Sequence, residues 1–125
     1  MTGISVGLQK VRDRISTAAQ AVGRDPHGVT LLAVSKTWPA ECVRAAAAAG
    51  QRAFGENYVQ EGCAKVDALA DPDLEWHFIG PLQSNKTRSV ANRFVWVHSI
   101  DRLRIAERLS ASATCICRPS TCAFR

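Results

Sequence analysis

Val29-Thr30-Leu31-Leu32-Ala33-Val34 is a short, β-branched and nearly continuous apolar run, followed at once by Ser35-Lys36-Thr37. A strand with one wet face alternates apolar and polar residues. A continuous apolar run instead marks a strand buried on both faces, as in parallel sheets. The flanking residues agree with that reading. Upstream, Ile4, Leu8, Val11, Ile15, Ala18 and Val22 are spaced four and three apart, which predicts an amphipathic helix. Gly23 suits its C-terminal end, and Pro26 bars continuation. Downstream, Pro39 opens a second helical stretch through Ala49, and Gly50 closes it.

The same unit then recurs. Arg52-Ala53-Phe54-Gly55, Trp76-His77-Phe78-Ile79 and Phe94-Val95-Trp96-Val97 predict three further strands. Between them the pattern predicts helices over 57–70 and 84–92, and a last one opened by Asp101 with Leu103, Ile105, Ala106 and Leu109 as its apolar side. Asn57 and Ser84 stand where side chains cap helices. Residues 1–109 therefore read as one α/β domain, a helix followed by four βα units. Strict alternation implies a parallel sheet with covered faces, either an open doubly wound sheet or part of a (β/α)8 barrel. From Ala111 neither period continues, so 110–125 is expected to be an off-pattern, disordered, cysteine-rich tail.

Composition narrows the classes. The chain has 125 residues, 46% hydrophobic and 22% charged, which is ordinary for a soluble domain and excludes collagen-like and broadly disordered chains. The net charge is +5, but the bases are dispersed and no aromatic–basic interleaving supports a nucleic-acid partner. No apolar run approaches a membrane span, and Met1 to Gln9 lacks the apolar core of a signal peptide, so a cytoplasmic protein is expected. Cys115, Cys117 and Cys122 have no histidine nearby; they are a weak metal signal, and no metal site is expected.

Chemistry in parallel α/β folds sits beyond the C-terminal ends of the strands. That rule selects Ser35, Lys36 and Thr37 after the first strand, Glu56 and Asn57 after the second, His77 and Gly80 at the third, and His98 and Ser99 after the fourth. Lys36 stands out because it directly follows an apolar strand. A lysine at the rim of an apolar cavity loses hydration, which favours the neutral amine, the form that adds to an aldehyde. A strand-end lysine can equally snorkel to water. Asn57 can cap the next helix or touch a bound ring, and His77 can be a satisfied core histidine.

Three blocks carry a resemblance: Leu32-Ala33-Val34-Ser35-Lys36-Thr37, Phe54-Gly55-Glu56-Asn57-Tyr58-Val59-Gln60-Glu61, and Trp76-His77-Phe78-Ile79-Gly80-Pro81-Leu82-Gln83-Ser84-Asn85-Lys86. With Ser99-Ile100-Asp101-Arg102, they resemble the pyridoxal phosphate homeostasis proteins, the YggS/PROSC family, from about Val6 to Leu109. The resemblance implies a (β/α)8 TIM barrel, similar to the N-terminal domain of alanine racemase, of which this chain supplies the N-terminal half. It implies pyridoxal 5′-phosphate (PLP) held as an internal aldimine on Lys36, with Asn57 and His77 lining the cofactor pocket. It also implies a role in vitamin B6 homeostasis without catalysis, with PLP-dependent apoenzymes as recipients.

The sequence departs from that family in two places. Position 38 is Trp where a second lysine is common. Members also run to about twice this length and carry a C-terminal phosphate-binding segment, so binding is expected to be impaired here. Four strands cannot close a barrel, and open edges predict aggregation or pairing with another half. Two alternatives remain: a PLP-dependent racemase, which would need a second acid/base where this chain has the single Tyr58, and a truncated product without function.

Overall fold

The computed structural model describes residues 3–112 and 121–122. Helix α1 spans Gly3–Ala21, followed by a 3-10 turn at Pro26–Gly28 and strand β1 at Ala33–Val34. Then come α2 (Ala40–Ala48), β2 (Ala53–Glu56), α3 (Val59–Leu69) and β3 (Glu75–Phe78). A 3-10 turn at Ser84–Lys86 leads into α4 (Thr87–Ala91), β4 (Trp96–Val97) and α5 (Leu103–Ser112), and a two-residue strand β5 lies at Thr121–Cys122. Residues 113–120 and 123–125, most of the stretch expected to be an off-pattern tail, lie outside the described residues.

All pairings are parallel and the strand order is β1-β2-β3-β4-β5. Neighbouring helices also pack in chain order, α1 on α2, α2 on α3, α3 on α4 and α4 on α5. A doubly wound sheet reverses its strand order near the middle. An order that never reverses, with helices following in the same sequence, is the wall of a barrel. The chain is thus α/β, with the architecture of the N-terminal half of a (β/α)8 barrel.

The core lies between the sheet and its helices. Phe54, Trp76 and Phe78 project from the strands, and Val43, Val90, Phe94, Ile105 and Leu109 close on them. Phe54 and Trp76 stack tilted at 5.6 Å, while Phe78 meets Phe94 edge-on at 5.5 Å.

Over residues 3–112 element existence matches the expected pattern, but boundaries and faces differ; the strand at Thr121–Cys122, paired with β4, departs from the disordered tail expected over 110–125. Strand β1 keeps only the end of the run 29–34, because pairing begins where β2 begins, with Ala33 opposite Phe54. Leu31 is served instead by a side chain: its carbonyl accepts from Gln51 Nε2 at 2.7 Å. On α1, Leu8 and Ala19 are buried, whereas Val11 and Val22 are exposed. The buried edge there is turned toward Arg12, which donates to the Ala49 carbonyl and to Gln51 Oε1, both at 3.1 Å. On α3 Gly62 and Lys65 are buried, while Val59, Cys63, Val66 and Leu69 pack half-buried against the core. Ser84 does not cap; its carbonyl accepts from Thr87 Oγ1 at 3.0 Å.

Two glycines inside helices test this packing with opposite signs. A Cβ on Gly62 would stand 2.8 Å from Phe94 Cζ and 3.1 Å from Glu56 Cβ, while one on Gly7 meets nothing within 4 Å. Alanine gains about 1 kcal/mol of helix propensity at either site. The clash at Gly62 costs about 1–3 kcal/mol and wins there. Gly7→Ala raises the urea midpoint and Gly62→Ala lowers it; shifts of the same sign would contradict the packing described.

Candidate functional site at the C-terminal ends of the strands

Register sorts the site residues by face. Val34, Gly55, His77 and Trp96 pair in one row across the sheet. Side chains two residues further along a strand share a face, so Ile79, next along β3 from His77, continues the same side. Ser35 and Glu56 fall on the other side, toward the helices, where Ser35 Oγ donates to Glu56 Oε1. Of the three residues singled out from sequence, Lys36 and Asn57 directly follow β1 and β2 at the C-terminal end of the sheet, and His77 lies on β3.

Lys36 sits in a turn closed by the Trp38 N–H donating to the Ser35 carbonyl at 3.1 Å. Its side chain is exposed, and it makes no hydrogen bond or ion pair with the described residues. This corrects the expectation of a lysine at a dehydrated rim. Strand β1 is an edge, and no described strand lies beyond it to exclude water. The next residue, Thr37, has φ +67°. That left-handed conformation strains a β-branched residue, at a cost of about 1–3 kcal/mol. Trp38, at the position where a second lysine was expected, is 61% exposed and borders an apolar groove with Leu8, Cys42, Val43 and Phe54.

Behind the turn lies a buried polar cluster. Glu56, at the end of β2, is fully buried. Its Oε1 accepts from Ser35 Oγ at 2.6 Å and from Lys65 Nζ at 2.7 Å. Lys65 also donates to the Ser35 carbonyl at 2.5 Å and to Glu61 Oε1 at 3.0 Å. Glu61 Oε1 in turn accepts the Thr37 N–H at 2.5 Å. The Lys65 ammonium, and then the Thr37 N–H, hold the Glu61 carboxyl below its ordinary range against partial desolvation. Lys65 was missed from sequence because Glu61 and Lys65, four apart on a helix, read as an exposed surface pair.

Asn57 does not cap α3. Tyr58 holds the cap position, and no side-chain cap bond forms. The Asn57 Oδ1 atom is instead buried without a partner. Its backbone is fixed by Gly80, where a Cβ would stand 2.2 Å from the Asn57 carbonyl oxygen. A buried amide oxygen left unpaired costs free energy and fits a donor from a bound molecule. Together with a lysine at the same end of the sheet that has no partner among the described residues, it fits a small aldehyde-bearing cofactor with hydrogen-bond donors. Lys36 would hold such a group covalently, and Asn57 would orient it.

His77 is a satisfied histidine. Its Nε2 lies 2.8 Å from Glu75 Oε1 and its Nδ1 lies 2.9 Å from His98 Nε2. Burial holds the ring below the ordinary histidine value of 6.5, against the pull of the Glu75 hydrogen bond. With His77 neutral, its Nε2–H donates to Glu75 Oε1, so Nδ1 accepts and His98 Nε2 donates. Trp96 stacks on His77 at 5.8 Å and 3°. His98 and Ser99 then border a cleft with Ile79, Gln83 and Arg102 at the ends of β3 and β4. Among the described residues no group of His, Cys, Asp or Glu is arranged to hold a metal, and no helix is long and apolar enough to cross a membrane. Cys115 and Cys117 lie outside the described residues.

No family model matches the chain. Individual proteins do. The pyridoxal phosphate homeostasis protein of Pseudomonas aeruginosa is 63% identical over 110 residues, which cover 88% of this chain and 48% of that protein. The protein of the same name from Escherichia coli is 59% identical over 113 residues, with the same two shares. Among solved structures, PipY of Synechococcus elongatus with PLP bound is 47% identical with a TM-score of 0.65, covering 82% of this chain and 47% of that one. A protein of unknown function from Bifidobacterium adolescentis is 35% identical with a TM-score of 0.79, covering 86% and 48%. The chain spans about half the length of the curated relatives it matches.

The depressed His77 pKa sets a sign for pH dependence. As pH falls through about 6.5 the unfolded ring takes up a proton while the folded ring does not, so the unfolded state binds more protons and stability drops. The stabilisation is fully present above that value and is lost toward the lower folded pKa. Thermal unfolding of the wild type is expected to move to lower temperature between about pH 7.5 and 5.5, with a smaller drop in His77→Gln. Equal slopes for the two proteins would remove His77 as the cause.

Proposed function

This chain belongs to the pyridoxal phosphate homeostasis protein family, and we propose on that footing that it binds pyridoxal 5′-phosphate covalently at Lys36. When bound, the cofactor supplies an aldehyde conjugated to a pyridine ring, the electrophile to which an amine adds. The work of the protein is then to present one accessible amine and to withhold others. Lys36 condenses with the aldehyde and water leaves. The chain has three other lysines: Lys10, Lys65 and Lys86. Lys65 is buried and makes three hydrogen bonds, so it is not available. The observation that carries the reading is the orphaned, buried Oδ1 of Asn57 at the end of the sheet where Lys36, with no partner among the described residues, follows the neighbouring strand.

In this reading Asn57 orients the ring and His77, made rigid by Glu75, His98 and Trp96, forms the floor one row below. The protein holds the cofactor in the cytoplasm and yields it to apoenzymes, so it is a carrier rather than a catalyst. Racemisation would need a second acid/base on the opposite side of the bound carbon. The single tyrosine, Tyr58, is 57% exposed at the start of α3 and is not placed for that role. Among the described residues, affinity rests on covalent attachment and ring contacts.

The test is spectroscopic. Wild type mixed with PLP is expected to gain the near-visible absorbance of a covalently held cofactor, and Lys36→Ala to lose it. Borohydride reduction followed by peptide mass spectrometry should place the pyridoxyl mass on Lys36. A band that survives in Lys36→Ala, or a label on Lys10 or Lys86 alone, overturns the assignment. Incubation of the loaded protein with L-alanine should yield no D-alanine; its appearance would favour the racemase reading.

A further inference from the structure

We propose that Glu61 and Lys65, two side chains of α3, latch the turn that carries Lys36 and act as positioning residues for its reaction with the aldehyde. The inference rests on the reading that Lys36 is the point of attachment. Both residues that flank Lys36 in the chain are gripped from α3. On one side, Lys65 Nζ donates to the Ser35 carbonyl at 2.5 Å, and Glu56 Oε1 accepts from Ser35 Oγ at 2.6 Å. On the other, Glu61 Oε1 accepts the Thr37 N–H at 2.5 Å. Lys36 alone between them is left unpaired.

Thr37 makes the latch necessary. Its φ of +67° is one that a β-branched residue abandons unless something holds it. The single described bond to its N–H comes from Glu61. Lys65 couples the two ends, because its ammonium bridges Glu61 at the half-exposed end and Glu56 at the fully buried end. Three donors meet three oxygens, so none of its capacity is spare. A network serving only to fasten α3 to the sheet would need the Glu56–Lys65 pair. It would not need Glu61 to reach across 24 residues to a strained backbone amide beside the reactive lysine. Fixing that turn removes rotations that attachment would otherwise have to freeze, which speeds condensation at one amine.

Glu61→Ala separates positioning from folding, since Glu61 is half-buried and its loss leaves the Glu56–Lys65 pair intact. Two readouts are taken. Without cofactor, amide hydrogen exchange at Thr37 is expected to speed up about ten-fold while Phe78 in β3 is unchanged. With PLP, the rate at which the Lys36-dependent band appears is expected to fall about ten-fold with unaltered thermal unfolding. Glu61→Gln keeps an oxygen for the Thr37 N–H and should restore most of the rate. Because Lys65→Met strands a buried carboxylate, it is tested as the double variant Lys65→Met/Glu56→Gln, which should show the same slowing. If Lys36→Ala abolishes the band but Glu61→Ala forms it at the wild-type rate, the latch is overturned and the attachment stands. If the band survives in Lys36→Ala, the attachment itself has failed.

Discussion

The buried ion pair between Lys65 and Glu56 is the contact on which the arrangement of the functional end depends. Its side chains are 7% and 0% exposed, and the N–O distance is 2.7 Å. Desolvating two charges offsets much of their attraction, so such a pair adds little net stability over an apolar substitute of equal size. Removing one partner is different and costs about 3–5 kcal/mol, because the other is left buried and uncompensated. The pair therefore acts as a constraint on geometry. Lys65 can satisfy its ammonium in one place only, where α3, the end of β2 and the turn after β1 converge. Any sliding of α3 along the sheet would break three hydrogen bonds together.

That constraint explains how the sheet divides its labour. On the helix side, Phe54, Trp76 and Phe78 build the apolar core, and the polar cluster of Ser35, Glu56 and Lys65 sits only at its C-terminal rim. On the opposite side Gly55 and His77 stand in one row with Val34 and Trp96. Gly55 leaves room that Leu32 and Ile79 fill, since a Cβ there would lie 3.2 Å from Ile79 Cδ1. The first face holds the second in shape, so side chains that bind need not also pack the core.

Much of this was legible in the sequence, and what was not has a common cause. Alternating apolar runs and helical periods placed every βα unit, because burial on two faces imprints a continuous run that no other element needs. Strand order was not legible. Periodicity reports which residues are buried but not which strands are neighbours, and the doubly wound and barrel readings separate only once β1-β2-β3-β4 is seen to run without reversal. Lys65, buried on α3, was not legible, because an apolar rule passes over a lysine. Asn57 was read as a cap from its position, yet local chemistry lost to the tertiary contact with Gly80, which sets its backbone. Lys36 was singled out for standing after an apolar strand. Its exposure depends on what lies beyond the edge of β1, which the pattern along one strand does not encode.

The edges of the sheet carry the argument one step further. Parallel strands are stable when both faces are covered, yet Val34 on β1 is 47% exposed and Val95 beside β4 is 37% exposed. At the far edge the backbone of β4 is paired by Thr121–Cys122, which match Trp96 and Val97. That pairing is two residues long. The near edge, β1, has β2 as its only described neighbour. It is also the strand that delivers Lys36. The residue best suited to covalent chemistry therefore stands at the least protected position of the sheet, and water reaches it from the side that a closed barrel would seal. Fixing the Ser35–Trp38 turn from within, through α3, then adds to the turn's own Trp38 N–H to Ser35 carbonyl bond where no described strand flanks it on the outer side.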